Sequence, residues 1–463
     1  MRSSGDILLI SCYELGHQPF HLASLQTMLR QAGYSPVLVD TSIESLTDET
    51  VKKARFVGIS VPMHTALRLG QQLAKRVRLL NPPAHICFYG LYASLNVDYL
   101  LQDCVDSTIG GEYEIPVLNL IANLESNKGS SVPGVSSREQ ISNPWMKRTS
   151  FVVPERNQLP SPDRYAHLVL NGEHVLAGYT ETTRGCKHTC LHCPITPIYQ
   201  GRFFAIPAGI VLADIRAQAA QGVRHITFGD PDFFNGPTHA LRIIRSLHTE
   251  FPNMTFDATI KIEHLLKHRY LLPELRELGC AFIVSAVESF NDNVLLHLDK
   301  GHTSAQAAET FYLMEHVGIP LRPSLMPFSP WETLESYIAL LTFFEEHKLI
   351  EHVDPVHFSI RLLIPPGSSL LDTLDDKLWL EELDAAAYTY RWTHPDTRMD
   401  HLHQAVSKLV EDAQSVHADP IETFFHIKAL ALEANDQEMC VPCAIRDYGT
   451  GKILPHLTES WFC

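Results

Sequence analysis

Basic residues are scarce in this sequence. It has 37 Lys and Arg against 53 Asp and Glu, for a formal net charge of -16 at pH 7. Binding to a polyanion requires clustered Lys and Arg to contact phosphates, so this balance argues against a nucleic-acid partner. The chain also lacks any apolar stretch of the ~20 residues needed to cross a bilayer, and the short run from Ile7 to Ile10 predicts a buried strand, not a signal segment. We therefore expect a cytoplasmic protein with no membrane partner.

The composition is that of a globular protein with more than one core. Hydrophobic residues make up 45% of the 463 residues, and a chain of this length predicts two or three domains. Residues 1–125 alternate short apolar runs with amphipathic stretches, which predicts a doubly wound parallel sheet with helices on both faces. Ligands bind such sheets at the carboxyl ends of the strands. The corresponding loops cover residues 14–18, 61–64, 89–94 and 110–112.

Three further segments follow this first α/β domain. Residues 126–171 begin with a stretch rich in Ser, Gly, Pro and Asn and predict a linker. Residues 172–371 resume the alternation, with six strand-and-helix units that predict a partial (β/α)6 barrel. Residues 372–463 are mostly helical in pattern and end in a cysteine-rich tail, so the predicted fold class is α/β with a helical C-terminal extension.

Three of the ten cysteines fall within eight residues, in a CxxxCxxC pattern formed by Cys186, Cys190 and Cys193. The pattern directly follows a predicted barrel strand. Thiolates are the ligands of iron-sulfur clusters, and three ligands on a 4Fe-4S cluster leave one iron open to bind a small molecule. The alternative is a zinc site, which would need His188 or His192 as a fourth ligand.

This segment resembles the cluster loop of the radical S-adenosylmethionine superfamily, and the likeness extends over about residues 172–371. It implies that Cys186, Cys190 and Cys193 ligate a 4Fe-4S cluster whose open iron binds S-adenosylmethionine. It also implies an external electron donor of the flavodoxin or ferredoxin type and a small-molecule substrate. The family usually has an aromatic residue before the last cysteine, where this sequence has His192.

The same resemblance assigns further residues at predicted strand ends to the cofactor. Gly229, Asp230 and Asp232 lie where the family has a glycine-and-acid motif that contacts the amino group of the cofactor, and Glu288 lies where it contacts the ribose or the carboxylate. Arg322 and Arg361 stand on otherwise apolar strands, where a guanidinium predicts a carboxylate clamp. A buried ion pair with an acid of the chain is the alternative for both arginines, and pairing with Lys300 is the alternative for Glu288.

A doubly wound domain ahead of such a barrel resembles the cobalamin-binding domain of one subclass of these enzymes. This likeness implies cobalamin as a further cofactor across the strand ends. The Asp-x-His-x-x-Gly motif that supplies a histidine to cobalt is absent. The alternative is a domain that only supports the barrel.

Three more cysteines lie near the C-terminus, namely Cys440, Cys443 and Cys463. The ending Trp461, Phe462, Cys463 is similar to radical S-adenosylmethionine proteins with a CUAEP or CCAEP tail, in which selenocysteine or cysteine and then Ala-Glu-Pro follow. The likeness implies either a selenocysteine codon after Cys463 or a natural end. Codons for Ala-Glu-Pro after an in-frame UGA would decide between the two.

The group with this tail includes an enzyme of arsinothricin biosynthesis, so the resemblance implies transfer of a 3-amino-3-carboxypropyl group to arsenic. Three tail thiols would suit a thiophilic arsenic centre. A redox pair and an additional metal site are the other hypotheses for them. For the whole chain, the alternatives to this radical transferase are a cobalamin-dependent methyltransferase and a non-catalytic zinc or redox sensor.

Overall fold

The computed structural model describes residues 1–126, 130–373, 377–449 and 451–459. It contains a six-stranded and a seven-stranded sheet, both mainly parallel and both joined by helices. The α/β fold class and the order of the two sheets along the chain are as predicted.

The first sheet has the strand order β2-β1-β3-β4-β5-β6, in which β1 to β5 are parallel and β6 is antiparallel. Side chains of a strand alternate between its faces. Leu8 packs in one core with Val57 and Leu67, whereas Leu9 packs in a second core with Leu25. Both faces are therefore covered, which explains why the strands are continuous apolar runs. The strands are β1 (Ile7–Ser11), β2 (Val37–Asp40), β3 (Phe56–Ser60), β4 (His85–Tyr89), β5 (Ser107–Ile109) and β6 (Val135–Ser137), and the helices are α1 (Phe20–Gln31), α2 (Asp48–Lys53), α3 (His64–Leu80), α4 (Leu91–Leu95), α5 (Val97–Leu100) and α6 (Glu114–Ser126).

The second sheet has five parallel strands in the order β14-β13-β12-β11-β8, followed by the antiparallel β7 and β17. Its parallel strands and outer helices share one large apolar core. The strands up to β14 are β7 (His167–Leu170), β8 (Glu173–Thr180), β9 (Thr183–Gly185), β10 (Phe203–Ala205), β11 (His225–Phe228), β12 (Thr255–Thr259), β13 (Cys280–Glu288) and β14 (Leu321–Leu325). The helices are α7 (Thr196–Tyr199), α8 (Ala208–Ala219), α9 (Pro237–Glu250), α10 (Ile262–Lys267), α11 (Leu272–Glu277), α12 (Asp292–His297), α13 (Ser304–Val317) and α14 (Leu334–Glu346).

The sixth predicted barrel strand takes a different form. Its first part is a 3-10 helix, Pro355–Phe358, and only a single parallel bridge joins Arg361 to Phe328. Proline has no amide hydrogen for a sheet and favours the first turn of a helix, so Pro355 turns the chain where the apolar pattern predicted a strand.

The predicted linker also carries structure. Val135–Ser137 forms β6, and the backbone of Trp145 exchanges hydrogen bonds with Gly110 and Glu112 at the carboxyl end of β5. His167–Leu170 forms β7 at the edge of the second sheet. The segment thus extends both sheets, and nothing in its polar composition marks these short strands.

The last part of the chain packs around the barrel. It contains α15 (Leu370–Thr373), β15 (Leu380–Asp384), β16 (Thr389–Trp392), α16 (Thr397–Ser415), α17 (Pro420–Glu433), α18 (Val441–Tyr448) and β17 (His456–Leu457). Helix α17 packs against α14 and α16, and β17 returns to pair with β7. Among the described residues, no helix combines the length and apolar character needed to cross a membrane.

Candidate functional site

The cysteine triplet lies in a loop that the barrel holds by backbone contacts. The loop begins after β9, where Gly185 has φ 80° and where a Cβ would lie 2.6 Å from the carbonyl oxygen of Arg202. The Cys190 carbonyl accepts a hydrogen bond from Thr196 Oγ1 at 2.8 Å, and the Leu191 amide donates to the carbonyl of Leu298 at 3.0 Å. The loop therefore has a fixed path at the carboxyl end of the barrel sheet.

The three thiols of the loop are free and poorly solvated. Cys190 is buried, and Cys186 and Cys193 are half-buried. Burial, reinforced by the neighbouring thiols, raises the pKa of Cys186 to about 12 and that of Cys193 to about 11. Such thiols become thiolates only when bound metal supplies the missing positive charge. These three side chains therefore fit a 4Fe-4S cluster as ligands.

The two histidines of the loop point to carboxylates. His192 Nε2 lies 3.3 Å from Glu288 Oε1, and His188 Nε2 lies 3.3 Å from Asp232 Oδ2. Each of the imidazoles that could supply a fourth zinc ligand to the thiols thus lies against a carboxylate. The arrangement favours a three-thiolate site, which leaves one iron of a cluster without a protein ligand.

Beside the thiols lies a buried ion pair between Lys300 and Glu288. Lys300 Nζ donates to Glu288 Oε1 at 3.0 Å. Burial alone would raise the pKa of Glu288, but the charge of Lys300 and the contact with His192 outweigh it and hold this pKa well below its usual range. Glu288 also has a left-handed backbone, with φ 65°, a strained conformation that often marks a functional position. The pairing of Glu288 with Lys300, which the sequence analysis gave as the alternative, is therefore present. Contact of Glu288 with the cofactor stays a prediction.

The glycine-and-acid motif follows β11 as predicted. A Cβ on Gly229 would collide with the hydroxyl group of Tyr179. Asp230 accepts hydrogen bonds from the Thr182 amide at 2.9 Å, from Thr182 Oγ1 at 2.7 Å and from Thr183 Oγ1 at 2.6 Å. Burial raises its pKa to about 7 despite these bonds. Asp230 thus ties the end of β11 to the start of the cluster loop, and a contact with the cofactor stays a prediction for this residue and for Asp232.

The two predicted clamp arginines have internal partners. Arg322 donates to Asp354 Oδ1 at 2.7 Å. Arg361 donates to Asp400 Oδ1 and to the Trp392 carbonyl, each at 2.7 Å, and its guanidinium lies 3.5 Å from the centroid of the Trp392 ring. Both arginines thus form the ion pairs with acids of the chain that the sequence analysis gave as the alternative to a clamp. Contact of either arginine with the cofactor stays a prediction.

The tail cysteines are brought together as a pair. Cys440 and Cys443 form a disulfide at the N-terminal end of α18. At the other end of this helix, the Tyr448 hydroxyl group donates to Glu351 at 2.7 Å. The next residue of that turn, His352, contacts the carbonyl oxygen of Leu321, the first residue of β14. That end of α18 is at the amino-terminal edge of the barrel sheet, whereas the triplet follows the carboxyl ends of the strands. Cys463 lies outside the described residues.

A buried charge cluster at the domain boundary was not predicted. Arg184, two residues before Cys186, lies 2.5 Å from Glu114, 3.5 Å from Glu112 and 3.1 Å from Glu181. All four side chains are at most 7% exposed. Burial raises the pKa of Glu112 to about 7 and that of Glu181 to about 6, although Arg184 opposes both shifts. The charges join the first sheet to the base of the cluster loop.

Glu14, in the loop after β1, adds a pH-sensitive group near this boundary. Its Oε1 has no hydrogen-bond partner, and burial together with the charges of Asp40 and Glu181 raises its pKa to about 8. A raised carboxyl pKa favours the folded state at low pH and loses that contribution as the pH rises through the folded pKa. We expect Glu14→Gln to match the wild type at pH 5 and to be more stable by roughly 2 kcal/mol at pH 9. Urea denaturation at pH 5 and pH 9 measures the free energy of unfolding of both proteins. The same difference between them at the two pH values would contradict the prediction.

The two domains enclose a small cavity beside the cluster loop. Its volume is about 160 Å³, and its lining includes Gly90, Tyr113, Tyr179 and Arg184. Pro62 and Gly111, from the predicted strand-end loops of the first sheet, complete the wall opposite the barrel. The loops at the carboxyl ends of both sheets therefore face one another, as ligand-binding loops of α/β domains do.

Comparison with known proteins identifies the barrel. Residues 180–343 match the profile of the Radical SAM superfamily. The chain carries a radical SAM domain. No curated protein sequence matches the chain.

Among the solved structures that resemble this chain, two do so over nearly its whole length. One is OxsB, a cobalamin-dependent S-adenosylmethionine radical enzyme, with 15% identity, a TM-score of 0.69 and coverage of 93% of this chain and 74% of that chain. The other is TsrM, a radical S-adenosylmethionine methyltransferase from Kitasatospora setae with cobalamin and a [4Fe-4S] cluster bound, with 14% identity, a TM-score of 0.64 and coverage of 94% and 100%. At these identities the likeness extends to the fold alone.

Two cavities at the carboxyl ends of the strands bear on cobalamin. Pockets for drug-sized ligands have volumes of about 300–1,000 Å³. The cavity beside the cluster loop has about 160 Å³, whereas a cavity of about 650 Å³ lies at the ends of β1 and β2 and is lined by Cys12, Gly16, Thr41 and Tyr165. Cobalamin at the strand ends of the first sheet stays a prediction.

Proposed function

We propose that this chain is a radical SAM transferase that uses Cys186, Cys190 and Cys193 to bind a 4Fe-4S cluster. The observation that supports the proposal most directly is the group of three free, poorly solvated thiols whose neighbouring imidazoles contact carboxylates. When bound, such a cluster supplies the electron that breaks a carbon-sulfur bond of S-adenosylmethionine. The electron comes from an external flavodoxin or ferredoxin, and the acceptor of the radical or alkyl group is a small molecule.

The residues around the loop suit this chemistry. Lys300 places a positive charge against the thiols of Cys190 and Cys193. Asp230 fixes the entry to the loop by accepting hydrogen bonds from the Thr182 amide and the Thr183 hydroxyl group. Cys190 is buried and Cys186 and Cys193 are half-buried, whereas Lys187 and Thr189 between them are exposed. The chain would thus hold a cluster in a fixed and partly shielded loop, which suits a reactive radical.

Product analysis tests the proposed function. The protein is purified without oxygen, loaded with iron and sulfide, reduced with dithionite and supplied with S-adenosylmethionine. Formation of 5'-deoxyadenosine indicates the usual radical, methylthioadenosine indicates cleavage on the aminocarboxypropyl side, and S-adenosylhomocysteine indicates methyl transfer. An intact cluster that releases none of the three refutes the proposal. If the protein instead contains zinc in place of iron and does not cleave S-adenosylmethionine, the alternative of a non-catalytic zinc or redox sensor is supported.

The positive charge of Lys300 allows a test of how the protein sets the reduction potential of the cluster. Removal of a positive charge disfavours the addition of an electron, so we expect Lys300→Met to lower the reduction potential of the cluster. Glu288→Gln removes the opposing negative charge and should raise it. The double variant should lie near the wild type. Redox titration followed by electron paramagnetic resonance measures all three, and shifts of the same sign in both single variants would contradict the assignment.

For the substrate we propose arsenite, with transfer of the 3-amino-3-carboxypropyl group. Cys440 and Cys443 lie adjacent in space, and as reduced thiols they would bind a thiophilic arsenic centre. Because the other end of their helix α18 contacts the amino-terminal edge of the barrel, this transfer requires the tail to move to the cluster loop. The S–C bond to the aminocarboxypropyl group breaks, a C–As bond forms, and methylthioadenosine leaves. The electron that opens the first bond is released again as arsenic(III) becomes arsenic(V).

The tail pair provides a matched test of this substrate. We expect Cys440→Ser and Cys443→Ser to keep reductive cleavage of S-adenosylmethionine but to lower the yield of alkylated arsenic at least about tenfold, because one thiol alone loses the chelate. Cys104→Ser, a buried thiol of the first domain, serves as the control. The measurement is mass spectrometry of the arsenic products, and full yield from both tail variants would contradict the assignment.

A cobalamin-dependent methyltransferase is the second candidate. It is supported by the whole-chain likeness to OxsB and TsrM, whose structures hold cobalamin, and by the cavity of about 650 Å³ at the carboxyl ends of β1 and β2. Titration with hydroxocobalamin, read by absorbance, distinguishes the candidates, since only the methyltransferase requires cobalamin to bind.

A further inference from the structure

Three side chains from separate segments converge beside the cluster loop. His188 belongs to the loop, Asp232 follows β11, and His264 lies in α10 after β12. Asp232 Oδ2 is 2.8 Å from His264 Nδ1 and 3.3 Å from His188 Nε2. One ligand atom from each residue lies within 4.8 Å of both others, which matches the spacing of donors around one metal ion.

The converging atoms are buried and without hydrogen-bond partners. The side chains of His264 and Asp232 are 1% and 2% exposed, and that of His188 is 11% exposed. His188 Nε2 and His264 Nδ1 both lie within ion-pair distance of Asp232 Oδ2, but none of the three atoms makes a hydrogen bond of good geometry. Buried polar atoms are normally satisfied. A positive ion at their common centre would satisfy all three.

The other atoms of the group are held in place. Asp232 Oδ1 accepts a hydrogen bond from the Phe234 amide at 2.9 Å, which directs Oδ2 towards the histidines. The second nitrogen of His188, Nδ1, has Lys261 Nζ at 3.3 Å and Glu263 Oε2 at 3.7 Å. When Nε2 binds an ion, Nδ1 carries the proton and donates it to a carboxylate, a common support for metal ligation. Glu263 would accept this proton, and Lys261 would then pair with Glu263, whose Oε2 lies 3.6 Å from Lys261 Nζ.

We propose that His188, Asp232 and His264 form a mononuclear site for a divalent transition-metal ion, separate from the cluster. Two imidazoles and one carboxylate suit Zn²⁺ or Fe²⁺, whereas Mg²⁺ and Ca²⁺ prefer oxygen ligands alone. The three ligands leave coordination positions for water or a substrate oxygen. The ion also ties the cluster loop to the ends of β11 and β12.

The test separates this ion from the cluster. In the triple variant Cys186→Ala, Cys190→Ala, Cys193→Ala, with Cys440 and Cys443 kept oxidised and any affinity tag removed, no cluster thiolate is present. We expect this full-length protein to bind about one Co²⁺ per chain with nitrogen and oxygen ligation. The readouts are metal analysis, visible d–d bands and ¹⁴N hyperfine coupling from two imidazoles.

Variants of the ligands and of a neighbour complete the experiment. His264→Ala and Asp232→Asn, each in the triple variant, should lose the bound Co²⁺ and its visible bands. His268→Ala is the matched control, because this half-buried histidine lies 5.7 Å from the His264 ring, centroid to centroid, and is not a ligand. Retention of Co²⁺ by both ligand variants, or its absence from the triple variant with a native circular dichroism spectrum, overturns the proposal. Neither result bears on cleavage of S-adenosylmethionine by the wild type.

Discussion

Alanine at Cys186, Cys190 or Cys193 should abolish reductive cleavage of S-adenosylmethionine, with a loss of at least about a thousandfold that reflects removal of the electron source. The three thiols are the proposed ligand set, and the nearby His188 and His192 contact carboxylates, so we expect neither imidazole to replace a lost ligand. The brown absorbance of the reconstituted protein should fall in parallel. The measurement is iron content together with 5'-deoxyadenosine or methylthioadenosine released under dithionite.

The control for this experiment is a cysteine outside the loop. Cys104 is buried in the first domain, and Cys104→Ala should keep both the iron and the turnover. A variant of the triplet that retains full turnover would contradict the cluster assignment. A variant that keeps iron but loses turnover would indicate an altered cluster in which one ligand has been replaced, and would still support the role of the loop.

The fold could be predicted from sequence wherever burial leaves a periodic signal. The strands β1, β3 and β4 are apolar runs covered on both faces, and in the barrel β11 and β13 are mostly buried in the same way. The error at the sixth barrel unit has a local cause. Apolar content predicted a strand, but Pro355 begins a 3-10 helix, and the downstream residues Leu362 and Ile364 pack against the β15–β16 hairpin instead.

The site was predictable only where chemistry is local in sequence. The spacing of the cysteine triplet is visible in eight residues, so its role could be inferred without a structure. Arg184 was missed because two of its partners, Glu112 and Glu114, are 72 and 70 residues away in another domain, and a lone charge is exposed by default. His264 was missed for the same reason, since α10 presents it as one residue of an ordinary amphipathic helix.

Arg184→Met should be the most destabilising single substitution at the domain boundary. Loss of the guanidinium leaves Glu112, Glu114 and Glu181 buried without a counter-charge, and removal of one partner from a buried ion pair costs about 3–5 kcal/mol. We expect the free energy of unfolding to fall by this amount at pH 8. Arg216→Met is the control, because its pair with Glu250 is half exposed and such pairs contribute about 0–1 kcal/mol.

The pH dependence distinguishes lost charge from lost packing. Without Arg184 the folded-state pKa values of Glu112 and Glu181, which burial already raises, should rise further, so the penalty is present at pH 8 and fades as the carboxyl groups become protonated towards pH 5. If lost packing were the cause, the variant would instead be destabilised equally at pH 8 and at pH 5. Addition of Glu114→Gln removes the negative charge that lies 2.5 Å from Arg184, and should restore part of the stability at pH 8 but little at pH 5. Because Arg184 is two residues from Cys186, the single variant should also release iron faster at pH 8, which connects docking of the first domain with retention of the cluster.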